Sequence, residues 1–187
     1  MKTEKISSPS APANVTDEGV AVPKNWYAAC VRMNCERKVA ALIDGMGVET
    51  YAPVQKSVRQ WSDRKKTVEV VVIPLIVFVR CTEDEVKTVE RLSAVSRLMR
   101  APGQKQPARI PDNQIETLKF LLRQEDVAVE FSNKNFSKGD KVRVARGDFE
   151  GIEGTVVQHE NGHYLAIEIN IIGSALVKID INDLTKI

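Results

Sequence analysis

The feature that most constrains the fold is a change in hydrophobic period near residue 138. Beyond that point, four short β-branched segments are separated by turn residues, at positions 141–145, 155–158, 164–169 and 175–179. Valine, isoleucine and threonine lose rotamer freedom in helices and pack well in strands. The last fifty residues therefore predict a small β-barrel of short strands rather than helices.

Glycines punctuate this C-terminal region at fixed spacing. The pattern is Gly139-Asp140-x-Val142-x-Val144, then Gly147-x-Phe149-x-Gly151-x-x-Gly154-x-Val156. Taken alone, it indicates tight turns, because glycine adopts backbone angles that other residues avoid. Asn161-Gly162 adds a hairpin signal, since a type I′ turn needs positive φ at both central positions.

The preceding hundred residues mix strand and helix patterns. Strands are predicted at residues 26–31, 48–52, 68–79 and 95–99, and helices after Asn34, after the capping-box pattern that starts at Thr82, and after Pro111. Pro74 cannot donate a ladder hydrogen bond, so it should mark a bulge or an edge position. The order β-α-β-β-α-β-α predicts an α+β domain of the ferredoxin-like kind, with two helices on one face of a mostly antiparallel sheet.

Composition divides the chain into four parts. The chain has 187 residues, of which 43% are hydrophobic, so two small domains with real cores are possible. Residues 1–23 are rich in Ser, Pro and Ala without a hydrophobic period, and we expect a disordered tail there. Residues 127–137 are polar and are predicted to form a flexible linker. The domains would therefore span residues 24–126 and 138–187.

Charge is distributed unevenly between these two domains. Residues 24–126 hold eighteen Lys and Arg against thirteen Asp and Glu, whereas residues 138–187 hold six against eight. The N-terminal domain could therefore face nucleic acid, and the C-terminal domain is a poor candidate. No apolar run approaches the roughly 18 residues of a membrane span, and no secretion signal is evident, so we expect no membrane association and a cytoplasmic protein.

Motifs for catalysis or metal binding are missing from the sequence. Cys30, Cys35 and Cys81 form no C-x-x-C or Cys/His pattern, so free thiols are expected and a zinc site is not. His159 and His163 flank a turn without carboxylate or cysteine partners at ligand spacing. The sequence contains no nucleophile elbow, P-loop or dinucleotide fingerprint. We predict neither an enzyme nor a cofactor.

The complete glycine pattern resembles the KOW motif, and the residues before it resemble a second known domain. Trp26-Tyr27, Tyr51-x-Pro53, the segment 74–79 (Pro-Leu-Ile-Val-Phe-Val) and Ile110-Pro111 before a helix are similar, in order, to landmarks of the NusG N-terminal domain. The resemblance covers residues 25–187. It implies an N-terminal NusG domain joined to an SH3-like KOW barrel, in a factor that acts in transcription elongation or antitermination.

This resemblance implies a contact with RNA polymerase. In the family, the sheet surface docks on the clamp helices of the large β′ subunit and suppresses pausing. The positions that match this docking surface are Tyr27, Ile73, Pro74, Ile76 and Phe78. The chain departs from the family's usual Pro-Gly-Tyr, because it has Pro74-Leu75-Ile76 there.

A basic segment at residues 59–66 (R-Q-W-S-D-R-K-K) is predicted to form a hairpin tip. Cations pair with phosphate and an indole can stack on an unpaired base, so non-template DNA or leader RNA are candidate ligands. The candidate nucleic-acid residues are Arg59, Trp61, Arg64, Lys65 and Lys66. The alternative is a solvated charged face. The segment also resembles the UpxY-type antiterminators of capsular polysaccharide operons.

In the family, the KOW barrel contacts the termination factor Rho or a ribosomal protein. Phe149 and Ile152 are the candidate partner-binding residues here, and Ile152 replaces an aromatic residue of the family. We expect a specialised factor that promotes read-through of a particular operon, and a dedicated antagonist is a further possible partner. The alternatives are a general NusG factor and, in another class, an RNA-binding KOW protein associated with the ribosome.

Overall fold

The computed structural model describes residues 22–60, 64–124, 127–134, 139–159 and 162–187. The predicted disordered tail lies almost wholly outside these residues, as do Trp61 and Asn161. The N-terminal half of the described chain, up to residue 124, contains strands and helices. The C-terminal half, from residue 127, consists of strands and one short 3-10 helix.

The N-terminal half contains six strands and three helices. In chain order they are β1 (Asn25–Val31), α1 (Glu36–Asp44), β2 (Glu49–Tyr51), β3 (Val54–Gln60), β4 (Lys65–Val71), β5 (Ile76–Cys81), α2 (Glu83–Glu90), β6 (Val95–Leu98) and α3 (Asp112–Arg123). Strands β2, β5, β1 and β6 form one antiparallel sheet in that order, called here the four-stranded sheet. Strands β3 and β4 form a separate hairpin. The predicted α+β architecture of this half is confirmed.

Two helices cover one face of the four-stranded sheet, as predicted. Apolar residues of α1 and α2, including Ile43 and Val89, share a core with the alternate side chains of β1 and β5. Helix α2 begins at the predicted capping box, where Thr82 Oγ1 accepts from the Glu85 backbone N–H. The predicted N-cap of α1 was one residue off, because Cys35 occupies that position and Asn34 has a positive φ of 60°.

The apolar run at residues 68–79 is not one strand. It is divided between β4, which belongs to the hairpin, and β5, which lies in the four-stranded sheet. Pro74 lies in the turn that separates these strands, so it is neither a bulge nor an edge position. A proline has no N–H for a ladder, and the turn is where that loss costs least.

The C-terminal half forms one antiparallel sheet of six strands, called here the C-terminal sheet. Its strands are β7 (Val129–Ser132), β8 (Lys141–Val144), β9 (Glu153–His159), β10 (Gly162–Ile169), β11 (Gly173–Lys178) and β12 (Leu184–Lys186). They pair in the order β12-β8-β9-β10-β11-β7. The predicted strands are confirmed, while the closed KOW barrel stays a prediction.

Strand β7 corrects the predicted flexible linker at residues 127–137. Val129 to Ser132 pair with β11, in a register that places Phe131 opposite Ala175. Val129 is buried, and Phe131 packs against the core. The polar residues that follow concealed this strand, because only two of its four side chains are apolar.

Two motif glycines have the roles expected of tight packing and turns. Gly151 has a φ of 86°, which strains any residue with a Cβ. At Gly154, a Cβ would stand 2.7 Å from the Ala166 carbonyl oxygen on the neighbouring strand. Substitution of either glycine would therefore strain or separate the strands of the C-terminal sheet.

Helix α3 lies on the face of the four-stranded sheet opposite α1 and α2. Its buried residues Ile115, Leu118 and Leu122 belong to the same core cluster as Phe78 on β5 and Leu165 on β10. The predicted helix after Pro111 is confirmed. The two halves of the described chain therefore share one hydrophobic core.

Candidate interaction surfaces

Four of the five predicted docking residues are buried. Tyr27 is 3% exposed and lies on the α1/α2 face, whereas Ile76 and Phe78 lie on the α3 face, at 7% and 0%. Ile73, in the turn before β5, is 1% exposed. These four side chains therefore cannot themselves form the exposed docking surface that the resemblance implies. Both faces of the sheet are covered, so alternate residues of its strands face one core or the other.

Of these five residues, Pro74 alone has an exposed side chain. Its neighbour Leu75 is also exposed, at 41%. Together they form the rim of a surface groove, called here the apolar groove. Its floor and walls include Cys30, Ile76, Ser96, Arg97, Met99, Phe131 and Ile172. Phe131 and Ile172 come from the C-terminal sheet, so both halves of the chain line this groove.

A cluster of cations and rings lies at the other end of the same sheet face. Lys119 Nζ stands 4.9 Å from the centroid of the Trp26 ring, and the Arg80 guanidinium stands 5.9 Å from it. Trp26 is 1% exposed, so these contacts are partly desolvated and hold α3 against the sheet. Burial raises the pKa of Tyr51, which stacks on Phe78, to about 12.

Three sets of contacts join the C-terminal half to the N-terminal half. Phe149 packs edge-to-face on Phe120 of α3, with ring centroids 6.4 Å apart. The Asn170 backbone N–H donates to Gln114 Oε1 at 2.8 Å. Phe149 is 8% exposed and Ile152 is half-buried, so these two predicted partner-binding residues contact their own chain in this arrangement.

The third set is made by one buried side chain, Gln55 on β3, which is 7% exposed. Its Nε2 donates to the carbonyl oxygens of Gln124 and Val127, at 2.9 Å and 2.6 Å. Its Oε1 accepts from the Val129 N–H at 3.2 Å. Gln55 therefore fastens the base of the β3–β4 hairpin to the end of α3 and to the start of β7.

The predicted basic hairpin is confirmed as a β3–β4 ladder, although its tip at residues 61–63 lies outside the described residues. The register sets Arg59 opposite Lys66 and Gln60 opposite Lys65. Arg64 and Lys66 are exposed. Placing two basic residues directly opposite each other destabilises a ladder unless an anion compensates.

The described residues contain neither a metal-ligand cluster nor a membrane-spanning helix. In this part of the chain, His, Cys, Asp and Glu form no cluster that could hold a metal ion. None of the described helices has the length and apolar character needed to cross a bilayer. Cys30, Cys35 and Cys81 are free thiols.

A protein-family comparison identifies the N-terminal half. The family model described as transcription termination factor nusG matches residues 24–119, just over half of the chain. This chain belongs to the NusG family. The matched residues include all of the four-stranded sheet, α1, α2 and the basic hairpin.

Solved structures give more distant likenesses for this NusG-family chain. A structure of domain interaction in Thermotoga maritima NusG is 20% identical, covering 88% of this chain and 97% of that one, with a TM-score of 0.48. A structure of the MjSpt4:Spt5 complex in conformation B is 17% identical over 87% of this chain and 96% of that one, with a TM-score of 0.30. The search of curated proteins found no match.

Two contacts of this NusG-family chain have no signal in the sequence. Gln55 is one more polar residue before a basic hairpin, and Glu36 is one acid in the first turn of a helix. Leu75 does carry a signal, because leucine stands where the family usually has glycine, but its exposure is seen only in the structure.

Proposed function

We propose that this chain is a transcription elongation factor that binds RNA polymerase and promotes read-through. The family match over residues 24–119 carries the proposal, because that segment contains the four-stranded sheet and most of the apolar groove. The docking partner would be the β′ subunit of the polymerase, through its clamp helices. The buried residues Tyr27, Ile73, Ile76 and Phe78 would support this surface from beneath, and Pro74 would lie on its rim.

The physical support for docking is the character of the groove. Apolar side chains from three strands and two turns meet at a surface where water still reaches them. Apolar grooves that also contain polar residues, as this one contains Ser96 and Arg97, are typical of protein interfaces. Burial of such surface is worth about 25 cal/mol per Å² before the ordering costs of association.

The basic hairpin would supply the second contact. Arg59, Trp61, Arg64, Lys65 and Lys66 are proposed to meet non-template DNA or leader RNA, with cations on phosphates and the indole on a base. The ladder register supports this, because it sets Arg59 opposite Lys66 and so brings two basic residues together on one hairpin. The net negative charge of residues 138–187 disfavours the alternative of a ribosome-associated RNA-binding module.

A specialised role, in a capsular polysaccharide or similar operon, is proposed over that of a general factor. Leu75 and Ile152 depart from the family pattern at positions tied to docking or to barrel partners. The C-terminal sheet would recruit or exclude a further protein, such as Rho, a ribosomal protein or an antagonist, through Phe149 and Ile152. Transcript profiling of a deletion strain separates the two roles, since one extended operon or a global change would result.

The test of polymerase binding uses a residue that lines the groove without belonging to the core. Ile76→Glu is unsuitable, because it would place a charge inside the chain's own core. Ser96 is exposed on β6 and lines the groove, so Ser96→Trp fills the groove with a ring while leaving the core intact. Ser93→Trp is the matched control, because Ser93 is exposed but lies in a different depression beside α1.

The measurement is the affinity of each full-length variant for core RNA polymerase, alongside read-through at a pause site. Ser96→Trp should raise the dissociation constant at least about tenfold, which is about 1.4 kcal/mol. Ser93→Trp should bind as wild type does. If both variants bind as tightly as wild type does, the apolar groove is not the docking surface. If the wild-type protein itself does not bind polymerase, the proposed function is wrong.

A further inference from the structure

The turn between β4 and β5 holds a leucine in a conformation that favours glycine. Leu75 has a φ of 66°, in the left-handed region. A leucine there brings its Cβ against the backbone, so the residue persists only where its surroundings fix it. Glycine would adopt this turn without strain. The chain therefore keeps a side chain at Leu75 despite a conformational cost.

That turn is fixed on both sides of Leu75. The Leu75 N–H donates to Glu36 Oε1 at 2.9 Å, and the Leu75 carbonyl oxygen accepts from the Val31 N–H at 2.8 Å. Glu36 is the first residue of α1 and is 2% exposed. A helix N-terminus favours a carboxylate, and hydrogen bonds to an ionised acceptor are short and strong.

Burial of a carboxyl group is costly unless the group makes specific hydrogen bonds. Glu36 meets that condition by holding the backbone of a strained turn 39 residues away in the chain. The result is that the Leu75 side chain, 41% exposed, stands at the rim of the apolar groove. Single exposed leucines are common. Leu75, however, lies in a strained turn that a buried acid holds in place, and packing of the core does not require a leucine there.

We propose that Leu75 is the anchor that determines the specificity of the groove, and that Glu36 is the residue that positions it. This inference rests on the proposed function, since the partner is the polymerase surface that fills the groove. The partner surface should present an apolar ridge flanked by a carboxylate. Among the described residues that line the groove, Arg97 is the only charged side chain, so it supplies the complementary charge.

The first test separates the side chain of Leu75 from its backbone. Asparagine tolerates the left-handed conformation but is polar, so Leu75→Asn should raise the dissociation constant for core polymerase at least about tenfold. Its melting temperature should stay within about 4 °C of wild type or rise, because strain is relieved. Leu75→Met keeps an apolar chain of similar volume and should bind within about threefold of wild type.

The second test concerns Glu36. Glu36→Ala removes the acceptor and should weaken polymerase binding and speed hydrogen exchange at the Leu75 N–H. Glu36→Gln retains an amide oxygen that can accept the same bond, and should restore both properties. In a Leu75→Asn background, Glu36→Ala should add little further loss of affinity, because no apolar anchor remains to be positioned.

The outcomes distinguish this inference from the proposed function. If wild type and Leu75→Asn bind polymerase equally well while Ser96→Trp does not, the groove is used but Leu75 is not its anchor. If Glu36→Gln fails to rescue Glu36→Ala, the positioning role is wrong. If wild type itself does not bind polymerase, the proposed function and this inference both fall.

Discussion

Replacement of Gln55 should loosen the junction between the two halves of the chain. Methionine has a similar length and volume but can neither donate nor accept the three hydrogen bonds of this buried amide. Gln55→Met would leave the Gln124 and Val127 carbonyl oxygens and the Val129 N–H without their partner. Because Gln55 is 7% exposed, water replaces these bonds only in part.

The size of the effect follows from the number of bonds. Each intramolecular hydrogen bond contributes roughly 0.5–1.5 kcal/mol net, and an orphaned buried group costs more. Three bonds at Gln55 therefore give a loss of about 2–4 kcal/mol in the free energy of unfolding. In a chain of this length, each 1 kcal/mol lowers the melting temperature by roughly 2–4 °C. Gln158→Met, on an exposed position of β9, should change the free energy of unfolding by less than about 0.5 kcal/mol.

The loss in the free energy of unfolding can be measured by urea titration, with tryptophan fluorescence and circular dichroism as two separate probes. The two probes should coincide in wild type, because the two halves share one core. They should separate in Gln55→Met, and the Val129 N–H should exchange faster with solvent. If Gln55→Met unfolds within about 0.5 kcal/mol of wild type, with unchanged protection at Val129, the amide is not the fastener described above.

Two further predictions concern the thiols and the hairpin. Burial, with a smaller contribution from Glu85, raises the pKa of Cys81 from 9.0 to about 11. Cys81 in the folded protein should therefore react with iodoacetamide about a hundredfold more slowly at pH 8 than an ordinary thiol. Because the pKa of Cys81 is higher in the folded than in the unfolded protein, this thiol's contribution to stability is complete below pH 9 and is lost between pH 9 and about 11. The free energy of unfolding of Cys81→Ala should therefore fall less steeply than that of wild type over this pH range. Joint replacement of Arg64 and Lys66 by Glu should lower the affinity for single-stranded DNA by at least about tenfold. The slope of the logarithm of the binding constant against the logarithm of salt concentration should become shallower by about 1.4, because two phosphate contacts are lost. Lys87→Glu on α2 is the control and should change neither quantity.

The strands of the C-terminal sheet were predictable from the sequence because their signals are local. Period-two alternation and turn residues identified the core of β8 to β11 within a few residues of their ends. The capping box at Thr82 and Glu85 located α2 in the same way, since a cap is a contact over three residues. Local chemistry of this kind does not depend on how the halves of the chain pack.

Features that depend on distant contacts could not be predicted in this way. Val129 to Ser132 look like linker, and become a strand only because they pair with residues 174–177 of β11, far along the chain. Gln55 reveals its role only when Gln124 and Val129 are brought to it. The apolar run at 68–79 carries one local sign of its division, Pro74, but that sign fits a bulge or an edge as well as a turn, since both β4 and β5 are rich in valine.

The burial of four predicted docking residues has a physical cause in the pattern that identified the family. Trp26, Tyr27 and Phe78 are large side chains that fill the two cores of the four-stranded sheet, so any chain with this fold needs residues like them. They identify the fold but cannot themselves touch a partner while buried. The exposed rim is formed instead by Pro74 and Leu75, in a turn where the core imposes little on the side chain. The proposed role of Leu75 follows from this difference, because Leu75 is 41% exposed and stands where the family usually has glycine.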